Sequence, residues 1–169
     1  MKKLVVVIHG KHRGVRPGKG HQESLGLTLK NSGVRQMQYI GGRLRDMFGG
    51  DCEPVILCSN KPQARESADI IADFFDAPVP VEESEVLYSD NETLDLPGIL
   101  ELIKAKEETT DVIILVTHQG AANELLAYFG KEELEAEITL KRKIKKGEGY
   151  IINCASKEVL IVEEEQLLK

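Results

Sequence analysis

The chain has 169 residues, 41% hydrophobic and 30% charged, with a formal net charge of -6. That balance suits one folded domain over residues 1–169 and excludes a disordered chain. The acidic surplus argues against nucleic acid as a partner, since phosphate backbones are gripped by a basic surplus. The longest apolar runs, 4–8 and 112–116, are far too short to cross a bilayer, so no membrane partner is expected.

Leu4 to Ile8 is β-branched and apolar without interruption, the pattern of a strand buried on both faces of a parallel sheet. Met1-Lys2-Lys3 ahead of it imitates the start of a signal peptide, but the apolar run is too short and no small-residue cleavage site follows. A loop from Gly10 to about Leu27 carries Lys11, His12, Arg13, Arg16, Lys19 and His21. Asn31 or Ser32 can cap a first helix, whose inner stripe is Val34, Met37, Ile40, Leu44 and Met47, ended by Gly49-Gly50. Val55 to Cys58 is a short buried strand. Ser59 or Asn60 can cap the helix after it, with Pro62 in the first turn and Ala64, Ala68, Ile71 and Phe75 as its stripe.

Weaker strand signals cover 79–81 and 85–88, and a helix is expected from about Leu96 to Glu108. Val112 to Thr117 is the second strongly buried strand. It runs into His118-Gln119-Gly120 and a helix through Phe129. Lys131 to Lys146 is charged, and a helix, a loop and a region that packs on a partner all stay open for it. Gly149 to Cys154 and Glu158 to Val162 read as an antiparallel hairpin. Strands alternating with helices predict a three-layer α/β/α fold, its sheet mostly parallel with the hairpin added in antiparallel sense. In such sheets ligands bind beyond the carboxyl ends of the strands, where His9 and His118 both lie.

Three other readings of the motifs fail on spacing. The segment Val6-Val7-Ile8-His9-Gly10 is shaped like an α/β-hydrolase oxyanion segment, but no G-x-S-x-G elbow exists. Gly14 to Gly20 is one residue short of a phosphate loop and lacks its Ser/Thr. The histidines 9, 12, 21 and 118 have no carboxylate or cysteine at a metal-ligand spacing, so neither metal nor other cofactor is expected. Cys52, Cys58 and Cys154 form no C-x-x-C pair, which fits a reducing compartment such as the cytoplasm.

A buried strand followed by His, with Gly close behind, occurs twice, and phosphoryl transfer can use the pair. One imidazole attacks phosphorus to form a covalent phosphohistidine, while the other donates hydrogen bonds to the phosphoryl oxygens. A helix N-terminus near Gly120 would help hold the negative charge.

At these residues the sequence resembles the histidine phosphatase (phosphoglycerate mutase-like) superfamily. The family's R-H-G after the first strand corresponds to Ile8-His9-Gly10. Its L-T-x-x-G-x-x-Q helix corresponds to Leu29-Lys30-Asn31-Ser32-Gly33 leading into Gln36, Met37, Ile40, Gly41 and Leu44. The S-x-x-x-R-A-x-x-T-A segment corresponds to Ser59, Gln63-Ala64 and Ser67-Ala68, and S-H-G-G to Thr117-His118-Gln119-Gly120. The match spans nearly the whole chain in order, and the short 88–111 segment resembles the compact branch that includes phosphohistidine phosphatases.

The departures from that pattern fall on the phosphate grip. Ile8 and Gln63 stand where the resemblance implies two arginines, and Lys30 where it implies threonine. Arg65, two residues on from Gln63, points about 200° away on a helix. The family's proton-donating carboxylate has no clear counterpart, Asp90 and Glu92 being nearest. Removing one preorganised oxyanion donor costs on the order of 10²- to 10³-fold in rate, so two charged losses would cripple an ordinary phosphatase.

The sequence therefore supports a catalytically degenerate relative, with His9 and His118 at its centre and Gly10, Arg13, Arg16, Gln63 and Gln119 lining the ligand site. It would bind a phosphorylated small molecule, a phosphoprotein or another anionic ligand or partner with little turnover. The alternative is an active phosphatase, a phosphoric monoester or phosphohistidine hydrolase. In it His9 is the nucleophile and loop Arg or Lys side chains replace the missing arginines. Oligomeric state is left open.

Overall fold

A strand covered by helices on both faces has no solvent side, so an unbroken apolar run belongs in the middle of a sheet. In the computed structural model of the chain, which describes residues 1–13, 28–88 and 94–163, the two such runs become β1 (Lys3–Ile8) and β4 (Val112–Thr117), paired in parallel. Among the described residues six strands form one sheet in the order β3-β2-β4-β1-β5-β6, with β2 spanning Val55–Ser59, β3 Val81–Ser84, β5 Gly149–Asn153 and β6 Val159–Val162. The first four strands in that order run parallel. β5 pairs antiparallel with β1 and β6 antiparallel with β5, as the expected hairpin requires.

Helices cover both faces. α1 (Asn31–Phe48) and α2 (Pro62–Ala72) bury Met37, Ile40, Leu44, Ala64, Ala68 and Ile71 against Val5, Val7, Ile56, Ile114 and Val116. On the other face, α3 (Leu96–Glu107) and α4 (Gln119–Glu133) bury Ile99, Ile103, Leu125 and Phe129 against Leu4, Val6, Ile8, Ile113 and Leu115. Alternate residues of one strand thus feed opposite cores, as the two-residue period demands. This is the three-layer arrangement the alternating pattern predicts, and no helix of the described residues is long and apolar enough to cross a membrane.

Several boundaries differ from expectation, each for a local reason. α1 and α2 are preceded by Lys30 and Lys61, neither of which caps with its side chain, so Asn31, Ser32, Ser59 and Asn60 do not act as N-caps. Ser59 is instead the last residue of β2, and its hydroxyl is committed to the site described below. Met47 lies one turn beyond the buried stripe and is 40% exposed. Phe75 is buried, but in the turns after α2. The 79–88 region forms one strand, β3, followed by a single 3-10 turn at Glu85–Leu87. Residues 134–148 carry no helix or strand between α4 and β5.

Register positions the site. Ile8 of β1 lies opposite Thr117 of β4, so both strands end level and the next residues, His9 and His118, emerge side by side. The backbone N–H of His9 donates to the Thr117 carbonyl at 3.2 Å, extending the ladder by one bond.

Candidate functional site

The His9 and His118 rings meet edge to face, with centroids 4.9 Å apart. His9 is almost wholly buried. Its Nδ1 lies 2.9 Å from the carbonyl oxygen of Gly10. A carbonyl only accepts, so Nδ1 carries the proton and Nε2 presents a lone pair. Burial is the main influence on this imidazole and pushes its pKa down to about 4, outweighing the Gly10 bond that favours the charged form, while His12 and Lys146 push it lower still. Near neutral pH His9 is therefore an uncharged base in a fixed tautomer.

His118 is the residue immediately before α4, and its Nε2 lies 2.9 Å from the Ser59 hydroxyl. A hydroxyl can give or take this bond, so the tautomer of His118 follows its surroundings. Burial first, then repulsion from His9, Lys61, His12 and Lys146, pushes its pKa down to about 3. The ring of Tyr88 stands edge-on to His118 at 5.1 Å, and the ammonium of Lys61 lies 4.4 Å above the Tyr88 ring. The Thr117 hydroxyl donates to the Leu87 carbonyl and ties the end of β4 to the turn that carries Tyr88.

The β1 arm is built by close backbone approach. A Cβ on Gly10 would lie 2.6 Å from the Gly33 carbonyl oxygen, and one on Gly33 only 2.1 Å from that of Lys11. The glycine of the first helix motif is thus required where α1 meets the chain leaving β1. The buried Gln36 accepts from the Lys11 N–H at 3.1 Å and donates to the Lys146 carbonyl at 3.4 Å. The Ser67 hydroxyl donates to the Gln63 carbonyl at 2.7 Å and accepts from the Gly10 N–H at 3.1 Å. These three motif residues hold the backbone around His9.

His12 is the third histidine of the cluster. Its ring centroid lies 5.2 Å from that of His9, its Nδ1 donates to the Arg13 carbonyl at 2.8 Å, and its Nε2 accepts from the Lys146 ammonium at 2.9 Å. His12 was visible in the sequence only as a loop histidine. Lys146 sits at the end of the charged 131–146 segment, and its one local signal is the adjacent Gly147, the residue that turns the chain into β5. Burial and the Lys30 charge lower the Lys146 pKa.

The sequence-predicted residues divide. His9, His118 and Gly10 come together as expected. Gln63 is buried on the first turn of α2, and its Oε1 has no hydrogen-bond partner among the described residues. Ile8 is fully buried and packs into the α3–α4 core. Gln119 begins α4 and is exposed. Arg13 is exposed, with its N–H donated to the Thr28 carbonyl, and its charge is not among those acting on His9 or His118. Arg65 pairs with Asp69 and Glu83, away from the histidines. Arg16, Lys19, His21, Asp90 and Glu92 lie outside the described residues. Among the described residues no group of His, Cys, Asp or Glu is placed to hold a metal ion. Among the described residues, the charges acting on His9 and His118 come from histidine and lysine, with no carboxylate among them.

No family model and no curated protein sequence matches the chain. Solved structures do. A protein assigned as phosphohistidine phosphatase SixA from Nakamurella multipartitia superposes with a TM-score of 0.72 at 15% identity, covering 98% of this chain and 97% of that one. The protein histidine phosphatase SixA complexed with tungstate gives 0.66 at 13% identity over 95% and 94%. A phosphoglycerate mutase from Plasmodium falciparum gives 0.53 at 17% identity over 97% and 90%. Almost the full length of each chain is covered. The chain therefore has the phosphoglycerate mutase-like fold that these structures share.

Proposed function

We propose that the chain binds a phosphoryl group, or an anion of like shape, between His9 and His118, with little turnover. The observation that carries this reading is the facing pair of imidazoles at the carboxyl end of the sheet, 4.9 Å apart, with Lys61 and Lys146 and no carboxylate among the described residues that act on His118. The tungstate complex of SixA supports the choice of ligand, tungstate being a tetrahedral oxyanion. Low turnover is inferred from the core-buried Ile8 and the neutral amide of Gln63, which supply no guanidinium to developing charge. The ligand would be a phosphorylated small molecule or a phosphoprotein, and the cysteine usage supports a cytoplasmic setting for the whole chain as one domain.

One observation favours the active phosphatase. The bond from His9 Nδ1 to the Gly10 carbonyl leaves Nε2 as a correctly deprotonated nucleophile. An experiment separates the readings. The protein is incubated with an aryl phosphate and with a phosphohistidine peptide, beside a His9→Ala control, and phosphate release and covalent labelling are measured. Binding of phosphate or tungstate without release supports the binding protein. Release that disappears in His9→Ala replaces it with the phosphatase. Absence of both binding and release overturns both.

A further inference from the structure

Resting on that reading, we infer that Lys146 and His12 form the oxyanion grip of this site, in the role left vacant by Ile8 and Gln63. Three independent constraints bring Lys146 there. Its carbonyl accepts from buried Gln36 of α1. The following Gly147 donates its N–H to the carbonyls of Ile8 and His9, both at 3.1 Å. That glycine has φ +81, and a Cβ on it would lie 2.3–2.6 Å from the Gln36 amide, so the turn admits no side chain. Farther back, Asn123 of α4 holds both the N–H and the carbonyl of Ile144. The irregular segment before β5 is thus fastened to α1, β1 and α4, and it delivers one ammonium to the histidine cluster.

The electrostatics are those of a site that awaits an anion. Lys146 makes no ion pair among the described residues, while His9, His12, His118, Lys30 and Lys61 all bear on the same space. A half-buried ammonium whose charged neighbour, Lys30, is also a cation is costly without a counter-charge. In the protein without ligand its hydrogen bond goes to the neutral Nε2 of His12. A dianion would attract both groups. His12 would take a proton from solvent on Nε2, the ammonium would give up that bond, and both would donate to the oxygens.

Two measurements test this. In the first, inorganic phosphate binding to the full chain is measured by calorimetry for the wild type, Lys146→Met, Lys146→Arg and Lys131→Met. Loss of a charge-assisted bond predicts affinity about 10- to 100-fold weaker in Lys146→Met. Lys146→Arg should stay within a few-fold of the wild type. Lys131→Met, which removes the same charge from an exposed position, should be unchanged. Lys146→Met within about threefold of the wild type overturns the grip while leaving phosphoryl binding standing. Wild-type protein that binds neither phosphate nor tungstate overturns the underlying reading as well. In the second, tungstate, which does not titrate near neutrality, is bound at pH 7.5 in buffers of different ionisation enthalpy. Net proton uptake that falls in His12→Gln is expected. Equal uptake in the two proteins, or none in the wild type, overturns the part assigned to His12 even if a Lys146 variant fails to fold.

Discussion

The two strand ends that carry the site reach the same place by different construction. β4 passes from Thr117 through His118 directly into α4, so one helix start sets the position of that imidazole. β1 passes from Ile8 through His9 into irregular chain, and its imidazole is held by contacts from α1, α2 and the segment before β5. The outcome differs in chemistry. His9 has its tautomer set by a carbonyl, which only accepts. His118 rests on a hydroxyl, which allows either tautomer. One base is preset, and the other can adjust to what is bound. Burial disfavours the charged form of both.

The sharpest break of the β1 end is Gly33→Ala. The new Cβ would meet the Lys11 carbonyl oxygen at 2.1 Å, and backbone must move to admit it. A loss of about 2–4 kcal/mol in denaturant unfolding is expected, together with loss of phosphate binding. Gly42→Ala, nine residues along the same helix, is the matched control. Its nearest neighbour is the Phe74 ring at 3.5 Å, an ordinary contact. Helix propensity then predicts stabilisation, by about 0.5–1 kcal/mol.

Gln36→Leu probes the clamp without steric insult. It leaves the Lys11 N–H and the Lys146 carbonyl without their side-chain partner, and about 1–3 kcal/mol of stability should be lost. Phosphate affinity should fall with it, because the β1 end and Lys146 are released together. Unchanged affinity would show that the clamp serves stability alone.

Acid sharpens what the two ends share. His9 and His118 have folded pKa values of about 4 and about 3, below the ordinary 6.5. Between those values and 6.5 the unfolded chain binds more protons than the folded one, so stability falls as pH falls through this window. The slope is at most about 1.4 kcal/mol per pH unit for each histidine. His118→Asn should flatten a plot of unfolding free energy against pH between about 6.5 and 3, and His9→Asn should do so between about 6.5 and 4. A plot as steep in both variants as in the wild type would show that neither ring is held neutral. The smallest effect belongs to the far end of the sheet. The exposed Lys2–Asp111 pair, 2.6 Å apart, should contribute less than about 1 kcal/mol, and Lys2→Ala should leave anion binding unaltered.

Much of this contrast was legible in the residue pattern. The β4 end could be read because an unbroken apolar strand, a histidine and a helix follow one another in the chain. The motif residues Gly33, Gln36, Ser59 and Ser67 could be read by their spacing, although their physical tasks could not. Ser59 looked like a helix cap and is a partner of His118. Gln36 looked like one position of a helix motif and joins two separate segments. The cations that act on the histidines could not be read for a similar reason. The loop after His9 offered Arg13 and Arg16 by proximity in sequence, whereas Lys61 and Lys146 act on the histidines from other elements.

The amino-acid sequence by itself determined the layered α/β fold, the two central strands and the histidines at their ends, because periodicity and burial are local to each segment. The tertiary structure alone decided which charges accompany those histidines. Lys146 is 137 residues from His9 in the chain, and only the antiparallel return of β5 along β1, the Gly147 turn and the Gln36 clamp place it there. No periodicity encodes that arrangement, because it arises from contacts among α1, β1, α4 and the irregular segment that forms the turn into β5.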